Sequence, residues 1–358
     1  MRVLFVRHTT LGRPGAAACH YYPVMLSGLE HEVTMMARAG GDGSALAKAG
    51  VRVVEVEKNS SWLRSLRRVA REIQPDIVHV FIHAGCGIYP YLMRSASNPK
   101  FILDIRSPLL RTGFVRRLVQ LKNKIEVIGY DAICSPGVES GHTVVGDRYK
   151  LYWIPVGVDM ELFPEKRLET TNRFNSLLKL VYIGSLDAKR RIDEMLAGVI
   201  DAASKVDLSL DVYGDGNARG MLESHVDNSG LSHRIRFQGA INRAELFHRL
   251  PEYDMGLAYV PRALYDPAPP LKTLEYMAAG LPVVATDTIG NRMFVMDGEN
   301  GVLTSDSPEA YAEGIVRLAN ATWRRDAPAK ARETAREFDW QAIAKNRLLP
   351  LYEELLGS

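Results

Sequence analysis

Short apolar runs alternate along the whole chain with longer stretches in which apolar positions recur every three or four residues. That alternation predicts βαβ units and parallel sheets. In the first half the runs place strands at Arg2–Val6, Glu32–Met36, Val51–Val56, Ile77–Phe81, Phe101–Asp104, Ala132–Cys134 and Tyr152–Ile154, with helices between them. A second series, at Leu180–Ile183, Ser209–Tyr213, Ile235–Gln238, Met255–Ala258, Pro282–Ala285 and Gly301–Leu303, predicts a second Rossmann-like domain. Residues 155–176, PVGVDMELFPEKRLETTNRFNS, are polar and without a period, and read as the linker, with the boundary near Pro164. The closing segment FDWQAIAKNRLLPLYEELL is helix-like, with apolar residues at Trp340, Ile343, Leu348, Leu351 and Leu355. Pro350 is expected to kink or interrupt it.

A chain of 358 residues accommodates two such domains. Two facing Rossmann-like domains would form a cleft at the carboxyl ends of their sheets, where open α/β sheets bind ligands, so the loops after strands are where chemistry is sought. The three cysteines, Cys19, Cys86 and Cys134, form no C-x-x-C pair, which argues against a disulfide framework and a structural zinc site and favours a reducing cytoplasm. Cys86 and Cys134 read as buried small hydrophobes. No signal peptide is expected, and no uncharged apolar run approaches the roughly 18 residues of a membrane-spanning helix.

The most informative stretch is AYVPRALYDPAPPLKTLEYMAAGLPVVATD, residues 258–287. It reads as a strand, a proline-rich loop, a helix from Leu271 to about Ala279 entered through Pro270, and Gly280 beyond its end. The first helical N–H groups, of Leu271, Lys272 and Thr273, lack intrahelical partners, so with the helix dipole they form an anion site to which Lys272 adds a full charge. Glu275, one turn on, is placed to accept hydrogen bonds from vicinal hydroxyls. A diphosphate at the helix start with a ribose against Glu275 fits this arrangement; a capped surface helix is the alternative for any one of these residues.

The run PPLKTLEYMAAGLPVVATD, followed by NRMFVMDGENGVL, resembles the signature region of glycosyltransferase family 4, enzymes of the GT-B fold. LEHEVTMM, PDIVHV, YWIPVGVDMELF, LVYIGSLDAKRRID and the terminal FDWQAIAKNRLLPLYEELL agree in order, so the resemblance covers nearly the whole chain. It implies an α/β protein of two Rossmann-like domains facing across a cleft. The acceptor-binding domain would comprise residues 1–164 plus 340–358, the C-terminal helix crossing back to it, and the donor-binding domain residues 165–339.

Carried over by position, Glu275 matches the second glutamate of the family's E-x7-E motif, which grips the nucleotide ribose, and Leu271–Thr273 match its pyrophosphate-binding turn. In GSLDAKRRID, Gly184 keeps the family's glycine. Arg190 stands where the family has a lysine, Ser185 replaces an arginine, and Lys189 and Arg191 are candidate compensating cations. Pro267 occupies the position of the first motif glutamate, with Asp266 as a candidate substitute. In the first half Gly12 and Gly15 keep part of a glycine-rich loop. Arg106 and Ser107 stand where relatives show His-Asp, with Asp104 just before them. Arg106 suits an anionic group, since a guanidinium does not act as a base; a structural pairing with Asp104 is the alternative. His83, after DIVHVFIH, and His20 in the first loop are cleft candidates, each against the reading of a satisfied structural histidine.

The implied reaction is transfer of a sugar from a nucleoside diphosphate sugar to a glycan, lipid-linked or small-molecule acceptor, with retention of configuration implied by the family. No cofactor and no metal are expected: Lys272, Arg190 and the helix start would stabilise the departing diphosphate. Lys272, Arg190 and Arg106 are the catalytic candidates. Cell-surface polysaccharide, lipopolysaccharide or glycolipid assembly is the implied setting. A non-catalytic GT-B subunit that binds nucleotide or supports a partner transferase is the competing reading.

Charge sharpens the picture of the first half. Residues 1–160 carry a net +8 and the remainder a net −5. In SWLRSLRRVAREI, Arg64, Arg67, Arg68 and Arg71 form one stripe opposite Trp62, Leu63, Leu66, Val69, Ala70 and Ile73. LLRTGFVRRLVQLKNK adds Arg111, Arg116, Arg117, Lys122 and Lys124 among apolar residues. These helices read either as peripheral contacts with an anionic membrane at its cytoplasmic face, or as solvated outer faces. Nucleic acid is not an expected partner, because the cations are not interleaved with aromatic stacking residues.

Overall fold

The computed structural model describes residues 1–12, 17–109, 113–163 and 177–357, with backbone alone at 94–97. The chain forms two compact units, one of Met1–Gly157 with Trp340–Ser358 and one of Val158–Asp339.

The first unit holds a parallel sheet of seven strands: β1 Arg2–Thr10, β2 Glu32–Arg38, β3 Arg52–Val56, β4 Ile77–Phe81, β5 Lys100–Asp104, β6 Ala132–Ser135 and β7 Tyr152–Trp153. Their order is β3-β2-β1-β4-β5-β6-β7. Both faces are covered, which is why the strands read as nearly continuous apolar runs. Along β1, Val3 and Phe5 enter one core, and Leu4 and Val6 the other.

The closing segment packs on the first of these cores. Trp340, Ile343, Leu348, Leu351, Tyr352 and Leu355 are all buried there, beside Val3, Phe5, Ile77 and Ile102. The helix is interrupted as Pro350 demands: α-helical turns at Trp340–Ile343 and Leu349–Gly357 flank a π-helical turn at Ala344–Leu348. A π turn takes up one extra residue. The step of five between Ile343 and Leu348 is thereby brought onto the same face as the steps of three and four around it. Gly157 lies against this segment, and a Cβ there would stand 2.6 Å from the Trp340 ring.

The second unit holds six parallel strands: β8 Leu178–Ile183, β9 Leu208–Tyr213, β10 Ile235–Gly239, β11 Met255–Ala258, β12 Val283–Thr286 and β13 Gly301–Thr304. Their order is β10-β9-β8-β11-β12-β13. The unit begins at Val158, ahead of the boundary expected near Pro164, a residue outside those described. Residues 158–163 belong to it because their backbone is held by its last helix and the residues that follow. Val158 N–H donates to the Phe338 carbonyl (2.9 Å), Met160 N–H to the Asp339 carboxylate (3.0 Å), and Arg332 to the Phe163 carbonyl (3.0 Å).

In each sheet the strand order reverses between the first strand and the fourth, β1 and β4 in one unit, β8 and β11 in the other. The connections leave those strands on opposite sides, opening a crevice at their carboxyl ends.

Candidate active site

At the β8/β11 switch point the chain assembles a cationic pocket floor. The helix Leu271–Ala278 starts there, with Pro270 extended at its N-cap and Gly280 at φ 73° beyond its end. Lys272 lies half-buried beneath its first turn, its Nζ donating to the Tyr259 carbonyl (3.3 Å) and lying 4.1 Å from the centre of the Tyr182 ring. Burial is the main cause that brings the Lys272 amine down to about 7; the nearby Arg190 charge adds to it and Glu275 opposes it. Arg190, in the turn Ala188–Arg190, rests its guanidinium over the Tyr265 ring at 4.3 Å. Two cations thus share a site with little negative charge of its own, an arrangement that an anionic ligand would relieve.

Gly184 gives this site its floor. A Cβ at Gly184 would stand 2.8 Å from the Tyr182 hydroxyl and 3.2 Å from Lys272 Nζ, and one at Gly214, after β9, only 1.8 Å from the Gly184 carbonyl oxygen. At Gly184 and Gly214 the two strand-end loops touch through backbone. The Tyr182 hydroxyl is buried without a hydrogen-bond partner.

Several expected ligands are engaged within the protein. Thr273 N–H turns back to the Pro270 carbonyl (3.2 Å) and its hydroxyl donates to Asn291 Oδ1 (2.7 Å), leaving Leu271 and Lys272 as the open N–H groups of this helix start. The Asp266 carboxylate accepts from Ile289 N–H (3.1 Å) while its carbonyl accepts from Gly290 N–H (2.9 Å). Through Oδ1 and its backbone carbonyl it ties two loops together. Ser185 hydrogen-bonds the Asp187 carboxylate, and Arg191 pairs with Glu194 rather than with Arg190's site. Lys189 is exposed. Glu275 is 9% exposed and accepts from Arg243, which reaches it from the helix Arg243–Arg249. Burial raises its carboxyl, and the Arg243 charge works against that rise.

Asn291, Arg243 and Tyr182 carry no sequence pattern of their own. Asn291 is fully buried and donates to the Thr286 carbonyl (2.8 Å), so through Thr273 it fixes the helix start against the end of β12. It opens the NRMFVMDGENGVL run, whose pattern marks the segment without singling out the asparagine.

In the first unit, the β1/β4 switch point brings together His8 and His83, stacked at 4.7 Å. Trp62 Nε1–H donates to the Tyr89 hydroxyl (2.6 Å), which lies 3.0 Å from His83 Nε2, while His83 Nδ1 lies 3.0 Å from the Ala84 carbonyl. Both imidazole nitrogens of His83 are thus occupied, and burial chiefly brings the ring down to about 4, so it is neutral near pH 7. Arg38 completes the group, 3.1 Å from His8 Nε2 and over the Trp62 ring at 4.8 Å. His8 escaped the sequence reading because β1 runs on to Thr10. His20 lies on the helix Ala17–Gly28, edge-on to Tyr21.

Arg106 takes the structural alternative. Its guanidinium donates to the carbonyls of Ile154 (3.0 Å) and Pro155 (3.1 Å), lies 3.4 Å from the Asp104 carboxylate, and covers the Tyr22 ring. Three of its five N–H groups are engaged in this way, which fixes the guanidinium against the end of β5 and the 154–155 backbone. Asp104 is fully buried and lies 3.2 Å from His79 Nε2, whose Nδ1 is 2.8 Å from the Tyr352 hydroxyl of the closing helix. Gly12 is a turn residue at φ 76°, and Gly15 lies outside the described residues.

Residues 178–321 match the family model described as Glycosyl transferases group 1. The chain carries a group 1 glycosyltransferase domain. The chain is 37% identical to spore coat protein SA of Bacillus subtilis over 91 residues, 24% of each protein. It is 29% identical to phosphatidyl-myo-inositol mannosyltransferase of Mycobacterium tuberculosis over 217 residues, 57% of this chain and 54% of that one. These matches span between a quarter and about half of the curated relatives' lengths. The crystal structure of Anabaena HepE in complex with UDP superposes with a TM-score of 0.77 at 15% identity, covering 100% of both chains. With its two separate parallel sheets and a closing helix on the first, the fold is GT-B. The matched group 1 segment contains Gly184, Arg190, Lys272 and Glu275, the whole β8/β11 site.

Proposed function

We propose that this chain transfers a glycosyl residue from a nucleoside diphosphate sugar to a glycan, lipid-linked or small-molecule acceptor, with retention of configuration. The observation that carries the reading is Lys272. Its amine lies between Gly184 and the Tyr259 carbonyl, directly under a helix start with open N–H groups. The hard step in such a transfer is departure of the diphosphate from the anomeric carbon. Lys272, Arg190 and the N–H groups of Leu271 and Lys272 are placed to stabilise the negative charge that develops, and fixed charges of this kind cost no reorganisation as it forms. Glu275 would hold the ribose once its pairing with Arg243 gives way or is shared. Retention rests on the family resemblance, as does a setting in surface polysaccharide, lipopolysaccharide or glycolipid assembly; the Mycobacterium relative is named for a lipid acceptor.

One observation favours a second reading. Pro267 provides no carboxylate at the place of the first motif glutamate, and the neighbouring Asp266 is tied through Oδ1 to Ile289 N–H. A subunit that binds nucleotide without transferring sugar would tolerate that. Screening the protein against UDP-, GDP-, ADP- and dTDP-sugars by thermal shift, then by mass detection of released nucleotide, separates the two. Stabilisation with slow release or transfer supports the enzyme, whereas stabilisation with no turnover under any acceptor supports the binding subunit.

A further inference from the structure

The helix Gly113–Glu126 is mounted with its polar side inward. Gln120 Nε2 donates to the carbonyls of His142 (3.2 Å) and Thr143 (2.9 Å), and Asn123 Nδ2 to that of Val144 (3.1 Å). These carbonyls lie in the last turns of the helix Val138–Val145, where intrahelical donors run out. Glu126, buried, accepts from the N–H groups of Gly85 (2.6 Å) and Gly87 (2.7 Å). The side facing the protein is therefore a hydrogen-bonding side, and Glu126 is the helix's buried residue.

The opposite side is apolar and unpartnered. Phe114, Leu118, Leu121, Ile125 and, one turn past the helix, Ile128 are 73%, 50%, 62%, 66% and 52% exposed. Their spacing of four, three, four and three places them on one stripe. At about 100° per residue, Arg117 and Lys124 lie along one edge of the stripe and Lys122 along the other. All three are exposed, and the helix's single carboxylate, Glu126, is spent on the glycine N–H groups. The arginine helix Trp62–Ile73 differs. Its Trp62, Leu66, Val69 and Ala70 are buried in the core and its arginines are exposed, the ordinary solvated pattern.

We infer that the Phe114–Ile128 face docks on an anionic lipid bilayer, the apolar stripe entering the acyl boundary and the flanking cations meeting lipid phosphates. The charge pattern selects this occupant. Lysine and arginine stems can lie along an apolar surface while their heads stay with anions in the headgroup layer. A second copy of the same face would instead set cations against cations across a two-fold seam, which costs binding. Among the described residues no helix is long and apolar enough to cross a membrane, so docking of this kind is interfacial.

The test is cosedimentation of the full chain with phosphatidylcholine vesicles and with vesicles mixing phosphatidylcholine and phosphatidylglycerol. The expected result is partitioning to the mixed vesicles that weakens as salt is raised. Ile125→Asp should lower that partitioning about tenfold or more, and Arg117→Glu with Lys122→Glu should remove the preference for phosphatidylglycerol. All three positions are exposed, so circular dichroism and the thermal midpoint should match wild type, and the charge pair tests the surface independently of the apolar change. Failure of the wild-type chain to bind the mixed vesicles at low salt overturns the proposal. So does binding that neither variant alters, or a self-association that Ile125→Asp abolishes.

Discussion

Lys272 is the residue whose environment says most about its use. A lysine amine held near 7 by burial and by Arg190 is partly deprotonated at neutral pH in the ligand-free protein. Because the folded value lies below the unfolded one, the unfolded chain binds the extra proton between about pH 7 and 10.5. Stability linked to this group therefore rises with pH across that window and is penalised in full below it. A bound diphosphate reverses the preference by pairing the ammonium. Nucleoside diphosphate binding at pH 8 should accordingly take up a proton, and its affinity should fall as pH rises above 7. Calorimetry in buffers of different ionisation enthalpy measures the uptake directly, and a buffer-independent enthalpy would refute it. The sequence showed that a lysine opens this helix but not that its amine turns inward, because that depends on Tyr182 and Tyr259 arriving from two other segments. Nor did it show that Glu275 is paired, since Arg243 lies 32 residues away. Arg106 illustrates the converse: a residue type suited to phosphate was used instead to hold the Ile154 and Pro155 carbonyls, partners whose approach only the folded sheet defines.

At the level of elements, strand-end loops in close contact shape the proposed donor site. A Gly214→Ala change would drive its Cβ into the Gly184 carbonyl at a backbone angle, φ 146°, that side chains avoid. It should displace the Gly184 loop from Lys272 and abolish the thermal shift produced by nucleotide, while the first unit's unfolding stays unchanged. An unaltered nucleotide shift would show that the close approach is dispensable. The closing helix gives a second case. Tyr352 reaches His79 through a buried hydrogen bond, and Tyr352→Phe leaves that imidazole nitrogen without a partner. Denaturant unfolding should show a loss of about 1–3 kcal/mol, and no loss would mean the nitrogen finds another donor. Elements were the most legible level in the sequence. All thirteen strands lie where the apolar runs put them, because a strand covered on both faces writes its burial directly into composition. The closing helix was legible to the detail that it is interrupted, although the π turn falls at Ala344–Leu348, just before Pro350. The inverted helix Gly113–Glu126 was not, since apolar and polar faces look the same in a sequence whichever of them turns inward.

For the molecule as a whole, the division of labour follows from two sheets with the same strand order and different strand-end chemistry. The second unit, acidic overall in sequence, brings Lys272 and Arg190 together at the β8/β11 switch point, where the proposed diphosphate would lie. The first unit has neutral histidines, Trp62 and Arg38 at the corresponding position, a surface suited to hydroxyl-bearing groups more than to a diphosphate. The uneven charge read from the sequence thus has two origins, the solvated arginine helix and the outward-facing helix Gly113–Glu126. The central claim is that Lys272 stabilises a leaving diphosphate, and steady-state kinetics of Lys272→Met with the donor identified by screening tests it most directly. Loss of a charge that meets the diphosphate most strongly in the transition state should lower kcat by about 100- to 1000-fold, and kcat/KM by at least as much because the bound diphosphate also loses its ammonium partner. Turnover within a few-fold of wild type, or a change confined to KM, would contradict that role.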